Sequence, residues 1–362
     1  MTRFLLPLAA CLAAACRNTG EHPAERIVLD TVVRLHTGPG AGELPLPPLS
    51  VVAIPDGGYL AIVDGVTGRS DVELRNQYDA AGHYTGSLGR AGDGPGEFRR
   101  VVAAAGFAGD SIYIWDRQRR LMTVLDHAGR QVRTFSVSGD GFQLVAAADG
   151  HFVLDGYAAG GNYSEPLNGF APDGKLIAAF GEVAPRERFA PGPPVERRVA
   201  SDGHGGWWTA RAAYRYELEH WDSTLTRRMQ LLPSADWFPP QRDLESPTDG
   251  EEAFSVLRPG IRWLEVDSTG RLWIGGVAPV PGAQEAVDAC VHGGGRPFEC
   301  ALERTASSFT TVVEVRSPSD GHLLASVRGL APMMPMGGGL FRAATTDEDG
   351  FVRVSVVRVR ME

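Results

Sequence analysis

Five groups of residues in this chain have types and spacings that could do chemistry. The run Gly89-Arg90-Ala91-Gly92-Asp93-Gly94-Pro95-Gly96-Glu97-Phe98 could turn successive backbone N–H groups towards an anion. No Gly-Lys-Ser/Thr closes it and no helix pattern follows, so packing between repeats is the stronger reading. Asp347-x-Asp349-Gly350 has the spacing that opens a calcium loop, but it lacks the downstream glutamate and sits where a hairpin turn is expected. Cys290 and Cys300 flank His292-Gly293-Gly294-Gly295. With no CxxC or Cys/His zinc spacing, a disulfide loop in an oxidising compartment suits them better than a metal. Arg186, Arg188, Phe189, Trp237, Phe238, Arg242, Arg296 and Phe298, with Arg90 and Phe98 of the glycine run, mix flat apolar surface with guanidinium donors. That mixture is enriched at protein and carbohydrate contacts, although each side chain could equally serve a loop's own small core. Glu196 and Glu265 are the nearest candidates for isolated carboxylates on strands, and both could simply be paired charges.

Other chemistry is missing from the sequence. There is no HExxH and no GxSxG, and no cysteine and histidine stand in a recognisable nucleophile setting. His83, His127 and His322 fall at similar turns of different repeats, which makes them turn residues rather than a metal set. Acidic side chains outnumber basic ones 44 to 35, giving a net charge of -9, and no long basic run is present to neutralise phosphates. Nucleic acid is therefore not an expected partner, and no cofactor or metal is expected. An apolar share of 43% provides ample core for a folded domain, and 45 glycines with 25 prolines favour many turns.

The N-terminus has the layout of an export signal. Arg3 precedes an uncharged stretch from Phe4 to Ala15, closed by Ala13-Ala14-Ala15-Cys16, and about 12 apolar residues cannot span a bilayer. This resembles bacterial lipoprotein signal peptides, whose first mature residue is a diacylated cysteine. Cys16 is the expected lipidation site; Leu8-Ala9-Ala10-Cys11 fits the lipobox letters slightly better but leaves a short apolar stretch. Acyl chains on Cys16 imply a membrane-anchored protein, and Arg17 in place of aspartate leans towards the outer membrane, facing the periplasm or the cell surface.

The elements that position everything else come from one repeated unit. An apolar run, a turn rich in Asp and Gly, and a second run of β-branched and aromatic residues recur six times, at Pro55-Asp56-Gly57-Gly58, Gly109-Asp110, Asp149-Gly150, Asp202-Gly203-His204-Gly205, Asp267-Ser268-Thr269-Gly270 and Asp347-Glu348-Asp349-Gly350. Five units carry a second turn, at residues 79–82, 126–129, 172–174, 222–224 and 317–321. Two hairpins per unit make four strands, and six units predict an all-β, six-bladed propeller over 26–362. It follows a signal peptide (1–16) and a short linker (17–25), with an insertion at 278–308. The sixth unit lacks a second turn, so the alternating run Arg26 to Leu35 is expected to supply its outer strand and close the ring.

Residues 88–135 resemble an NHL-type propeller repeat, through Leu88-Gly89-Arg90 to Gly94-Pro95-Gly96-Glu97-Phe98, Asp110-Ser111-Ile112-Tyr113-Ile114-Trp115-Asp116, Arg120 to Asp126, and Gly129. The chain also resembles exported bacterial six-bladed propellers that share a GxGPGEF segment and often carry lipoprotein signals. The match is close in this unit only, and Arg99-Arg100 replaces the usual proline, so the resemblance implies fold more than function.

Four-stranded blades place their a–b and c–d turns on one face and the b–c and blade-to-blade connections on the other. The long segments 89–100, 157–168, 182–194, 233–257 and 278–308 all belong to the second set. Function is assigned to that face: a non-enzymatic binding or scaffold lipoprotein that contacts a protein, peptide or glycan. The alternative is a metal-dependent lactonase, hydrolase or lyase with its ion in the central channel.

Overall fold

The computed structural model describes residues 26–37, 44, 48, 50–63, 74–99, 101–106, 111–139, 141, 143–156, 165–181, 197–211, 215–238, 257–295, 300 and 308–362. β1 (Ile27–Leu35) precedes the first blade, which is built from β2 (Ser50–Ala53), β3 (Tyr59–Val63), β4 (Leu74–Tyr78) and β5 (Tyr84–Ser87). A two-strand link, β6 (Arg90–Ala91) and β7 (Glu97–Phe98), leads to the second blade, β8 (Val101–Gly106), β9 (Ile112–Asp116), β10 (Leu121–Leu125) and β11 (Gln131–Ser136). The third blade is β12 (Leu144–Ala146), β13 (Phe152–Asp155), β14 (Leu167–Phe170) and β15 (Leu176–Phe180). The fourth is β16 (Arg197–Ser201), β17 (Trp207–Arg211), β18 (Leu218–Trp221) and β19 (Arg227–Leu231). The fifth comprises β20 (Gly260–Val266), β21 (Leu272–Pro279), β22 (Phe309–Arg316) and β23 (Leu323–Arg328), with helix α1 (Ala283–His292) between β21 and β22. The sixth is β24 (Met333–Gly337), β25 (Leu340–Thr346), β26 (Val352–Met361) and, as its outer strand, β1.

Each blade is an antiparallel four-stranded sheet, and the first strand of each neighbours the first strands of the two adjacent blades around a closed ring. Six blades, expected from the turns, are present, and β1 pairs antiparallel with β26 from Ile27 opposite Met361 to Leu35 opposite Val354.

Strand geometry explains why the middle strands read as unbroken apolar runs. Successive side chains point to opposite faces of a sheet, and in a propeller both faces are covered by neighbouring blades. In β3, Leu60 and Ile62 pack towards blade two while Tyr59, Ala61 and Val63 pack towards blade six. Six apolar clusters result, one per blade interface. That between blades two and three is the most aromatic, with Phe152 stacked on Phe170 at 5.0 Å and Tyr113 edge-on to Phe152. Each such side chain contributes about 1.5–3 kcal/mol by leaving water.

The turns reuse one device. In the turns that begin at Asp79, Asp126, Asp222, Asp202, Asp267 and Asp347, the carboxylate Oδ1 accepts the backbone N–H groups two and four residues on. Glycine at the fourth position of the Asp267 and Asp347 turns takes a positive φ, 82° at Gly270 and 85° at Gly350.

One expectation needs correction. Asp347 to Gly350 joins the second and third strands of blade six, not its first and second. The inner strand of that blade is β24, and its first turn is Gly337-Gly338-Gly339, which carries no aspartate. The Asp347 turn therefore belongs to the opposite face of the ring from the five turns it was grouped with.

Candidate functional site

Two regions can hold a partner: the rim that receives the long connections, and the central channel. Strand order sends the connections after β5, β15 and β19 and those between β13 and β14 and between β21 and β22 to one rim. The turns between first and second strands, and between third and fourth, close the other.

Of the residues expected on the long-connection face, Arg186, Arg188, Phe189, Arg242, Arg296 and Phe298 lie outside the described residues. So do Cys16 and Glu196. Arg90 is in solvent, with its side chain 81% exposed and its Nε 2.6 Å from Glu97 Oε1. Cys290 and Cys300 form a disulfide, with their Cα atoms 5.9 Å apart, pinning the end of α1.

Three of the contact candidates are interior residues. Phe98 is 3% exposed, packs between blades one and two, and has the Arg75 guanidinium 5.0 Å from its ring centre. The glycine run that leads to it is held by its own side chains. Gly94 N–H donates to Glu97 at 2.7 Å, and Arg119 reaches the backbone oxygens of Glu97 and Asp93. A carboxylate of the run itself thus accepts the Gly94 N–H.

Trp237 and Phe238, 4% and 3% exposed, are likewise core rather than contact residues. They pack with Tyr216 at the interface of blades four and five. Trp237 fits because Gly276 leaves room: a Cβ there would lie 2.5 Å from the indole. The indole N–H donates to Glu314 at 2.7 Å. The same carboxylate accepts the Tyr216 hydroxyl and, at 2.8 Å, Arg316 Nε. Arg316 also donates to the carbonyls of Gly321 and Ser234, at 2.8 and 2.9 Å. Burial together with the Glu314 charge pushes the Tyr216 phenol well above its ordinary pKa. This network is satisfied from within the protein and ties the segment after β19 to blade five.

The channel is different. It encloses about 890 Å³ and runs from Ser50, Gln143 and Asp155 at one end to the turns around Asp202, Asp267 and Gly338 at the other. Its wall divides by blade. Blades one and two contribute Ser50, Val51, Val52 and Ala103, the last three buried in the clusters between blades, and β24 adds the half-buried Met334, Pro335 and Met336, the apolar side chains of this arc. Around the rest stand Arg198 from blade four, Arg262 and Glu265 from blade five and Arg342 from β25.

Arg262 owes its position to a β-bulge. The pairing of β20 with β21 shifts between Ile261 and Trp263, leaving Arg262 as the extra residue, exposed and lining the channel. Arg198 Nε approaches the Ile261 carbonyl at 3.4 Å, next to that bulge. Arg342 lies opposite Met334 across the blade-six pair, and burial lowers its pKa to about 10.

Glu265 is half-buried, reached by the channel yet surrounded by protein. Burial raises its pKa to about 7, the Gly339 N–H works against that, and the neighbouring charge of Asp267 adds to it. Asp267 behaves in the opposite way: against burial, bonds from Thr269, Trp273 and Arg271 hold it at about 2. Among the described residues no group of three or more His, Cys, Asp or Glu is placed to hold a metal.

Sequence reasoning named Glu265 but missed Arg198, Arg262 and Arg342. The available signal was a charge inside an otherwise apolar inner-strand run, as in Gly260-Ile261-Arg262-Trp263-Leu264.

No family model matches the chain, and no curated protein matches it. Solved structures share its architecture. A member of the DUF4221 family from Bacteroides vulgatus superposes with a TM-score of 0.60 at 10% identity, over 94% of this chain and 99% of that one. A protein from Bacteroides fragilis described as exported gives 0.55 at 8% identity, over 92% and 95%. At such identities the likeness is one of fold. Among the described residues no helix is long and apolar enough to cross a membrane.

Proposed function

We propose that the protein is an exported, lipid-anchored and non-enzymatic binding propeller of the bacterial cell envelope, which engages a protein, peptide or glycan through its long-connection face. One observation carries this reading: strand order gathers the long connections on one rim of a rigid ring whose other rim is closed by short Asp-Gly turns. Variable loops on a fixed scaffold are a recurrent way to build a binding surface. Export is supported by the run ending at Cys16 and by the fold shared with the Bacteroides fragilis protein described as exported. The NHL-like segment at 88–135 points to the same broad class of propellers. Cys16 takes the acyl chains, and Arg17 favours the outer membrane.

The alternative, a channel-metal lactonase, hydrolase or lyase, needs converging carboxylate and amide donors. The described channel is lined by six arginines against four carboxylates, and among the described residues no three of its carboxylates are grouped to hold an ion.

The test places a photo-crosslinking phenylalanine analogue at position 90 and, as a control on the opposite face, at exposed Thr224. The expected result is a membrane-pelleted chain, released by Cys16→Ala, with a discrete adduct from position 90 and none from 224. Equal labelling at both positions, or a stoichiometric divalent metal by elemental analysis of the purified protein, overturns the reading.

A further inference from the structure

We propose that the central channel is a binding site, separate from the long-connection face, for a small organic anion whose carboxylate or phosphate head sits among Arg198, Arg262 and Arg342 and whose apolar body lies against Met334 and Met336. Three observations carry it.

The first is charge. The chain as a whole is acidic, with a net charge of -9, yet six arginines line the described channel against four carboxylates. Three of those carboxylates have partners within the protein. Asp267 is paired with Arg271 at 2.9 Å, Asp202 faces His220 at 2.9 Å, and Asp155 accepts the Gln143 backbone N–H. Of the arginines outside the proposed head site, Arg271 has Asp267 and Arg360 has Asp30, at 2.8 Å. A cavity with an excess of one charge and low-dielectric walls raises the local concentration of the opposite ion, and guanidinium groups match oxyanions two bonds at a time.

The second is how the charge is positioned. Arg262 is the extra residue of a bulge, beside the backbone that Arg198 touches. Bulges commonly re-aim a side chain, and here the re-aimed side chain is a cation lining a cavity. Arg198, Arg262 and Arg342 each keep contacts within the protein. A bound oxyanion joins those contacts rather than replacing them.

The third is the asymmetry of the wall. The arc at β24 presents the half-buried Met334, Pro335 and Met336, whereas Val51, Val52 and Ala103 beside it are buried in the clusters between blades. A volume of about 890 Å³ lies within the range of small-molecule sites, and an apolar lining with few convergent polar groups is their usual make-up. Methionine, unbranched and polarizable, adapts to varied apolar shapes. An inorganic ion alone would leave that arc without a partner, so the ligand has a body as well as a head.

The test is titration calorimetry on the full chain purified in detergent, with octanoate, octyl phosphate, the neutral octanamide and inorganic phosphate as probes. Octanoate or octyl phosphate is expected to bind at least tenfold more tightly than octanamide and than inorganic phosphate, and whichever is tighter identifies the head group. Arg262→Gln should weaken that probe by tenfold or more while its urea midpoint falls far less than that of Arg316→Met. Met336→Asp should do so from the apolar side. Octanamide binding as well as octanoate, variants that bind like the parent, or no binding of either anionic probe overturns the proposal. Adduct formation from position 90 is read separately, so failure here leaves the binding-face reading untouched.

Discussion

Arginine appears in the interior of this protein in two settings, and the contrast separates structure from function. Arg316, 3% exposed, directs its donors to Glu314, the Tyr216 hydroxyl and two carbonyls, beside Trp237. Arg262 lies on a bulge and is open to the channel. A buried ion pair with every partner supplied by the fold gives little net stability over an apolar replacement, but losing one partner strands a charge. A cation at the edge of a water-accessible cavity has solvent beside it as well as its contacts within the protein, so its loss should strand less than the loss of Arg316. The first arrangement holds a segment in register; the second faces the cavity.

That contrast predicts a graded set of effects. The largest is Arg316→Met, which leaves the Glu314 carboxylate buried with Tyr216 and Trp237 and should cost about 3–5 kcal/mol, read as a fall in the urea midpoint. Adding Glu314→Gln should restore part of that loss, and a single substitution costing under about 1 kcal/mol would erase the distinction.

Glu265 gives an intermediate effect. Its folded pKa of about 7 lies above the unfolded value near 4.5, so the native state holds the proton more tightly. Its contribution is therefore present at low pH and is lost as pH rises from about 4.5 to about 7. Allowing for screening by channel water, the change is about 1 kcal/mol. Comparing thermal midpoints of the parent and Glu265→Gln from pH 5 to 8 should show the parent losing ground with rising pH, and parallel curves would remove the carboxyl from that role.

The smallest stability effect belongs to Arg262→Gln, about 0.5–1 kcal/mol or less by urea unfolding. A cost like that of Arg316→Met would place Arg262 among the structural charges instead.

Much of the fold could be read from the chain because its turns are chemically repetitive. Asp267 and Asp222 fold their turns with the same carboxylate-to-backbone bonds, so the residues that make the turn also announce it. The one misplaced turn fails for the same reason. Asp347 uses that device between the second and third strands, whereas the true first turn of blade six is made of glycines alone. Ring closure was legible because β1 alternates.

The candidate site was less legible, since its geometry depends on register. Nothing in the proline-rich stretch around Trp237 shows that the indole is buried; the cue is remote, in Gly275-Gly276, where missing side chains admit Trp263 and Trp237. Arg262 enters the channel wall through a bulge, and a bulge is a relation between two strands that one strand's sequence does not carry. Glu265 could be named from its strand, but only beside Glu196 and with an ion-paired role left open.

The pairing of β1 with β26 also sets the order in which the molecule can assemble. Arg360 meets Asp30 across a sequence separation of 330 residues, and the backbone of Arg26 bonds to Glu362 in both directions. Contacts so distant in sequence form slowly, because the whole intervening chain must be gathered before they hold. The first strand waits, unpaired at its sheet edge, until the last has been made. A chain that completes its ring only at its final strand stays open until that strand has formed, and it locks when the two ends pair.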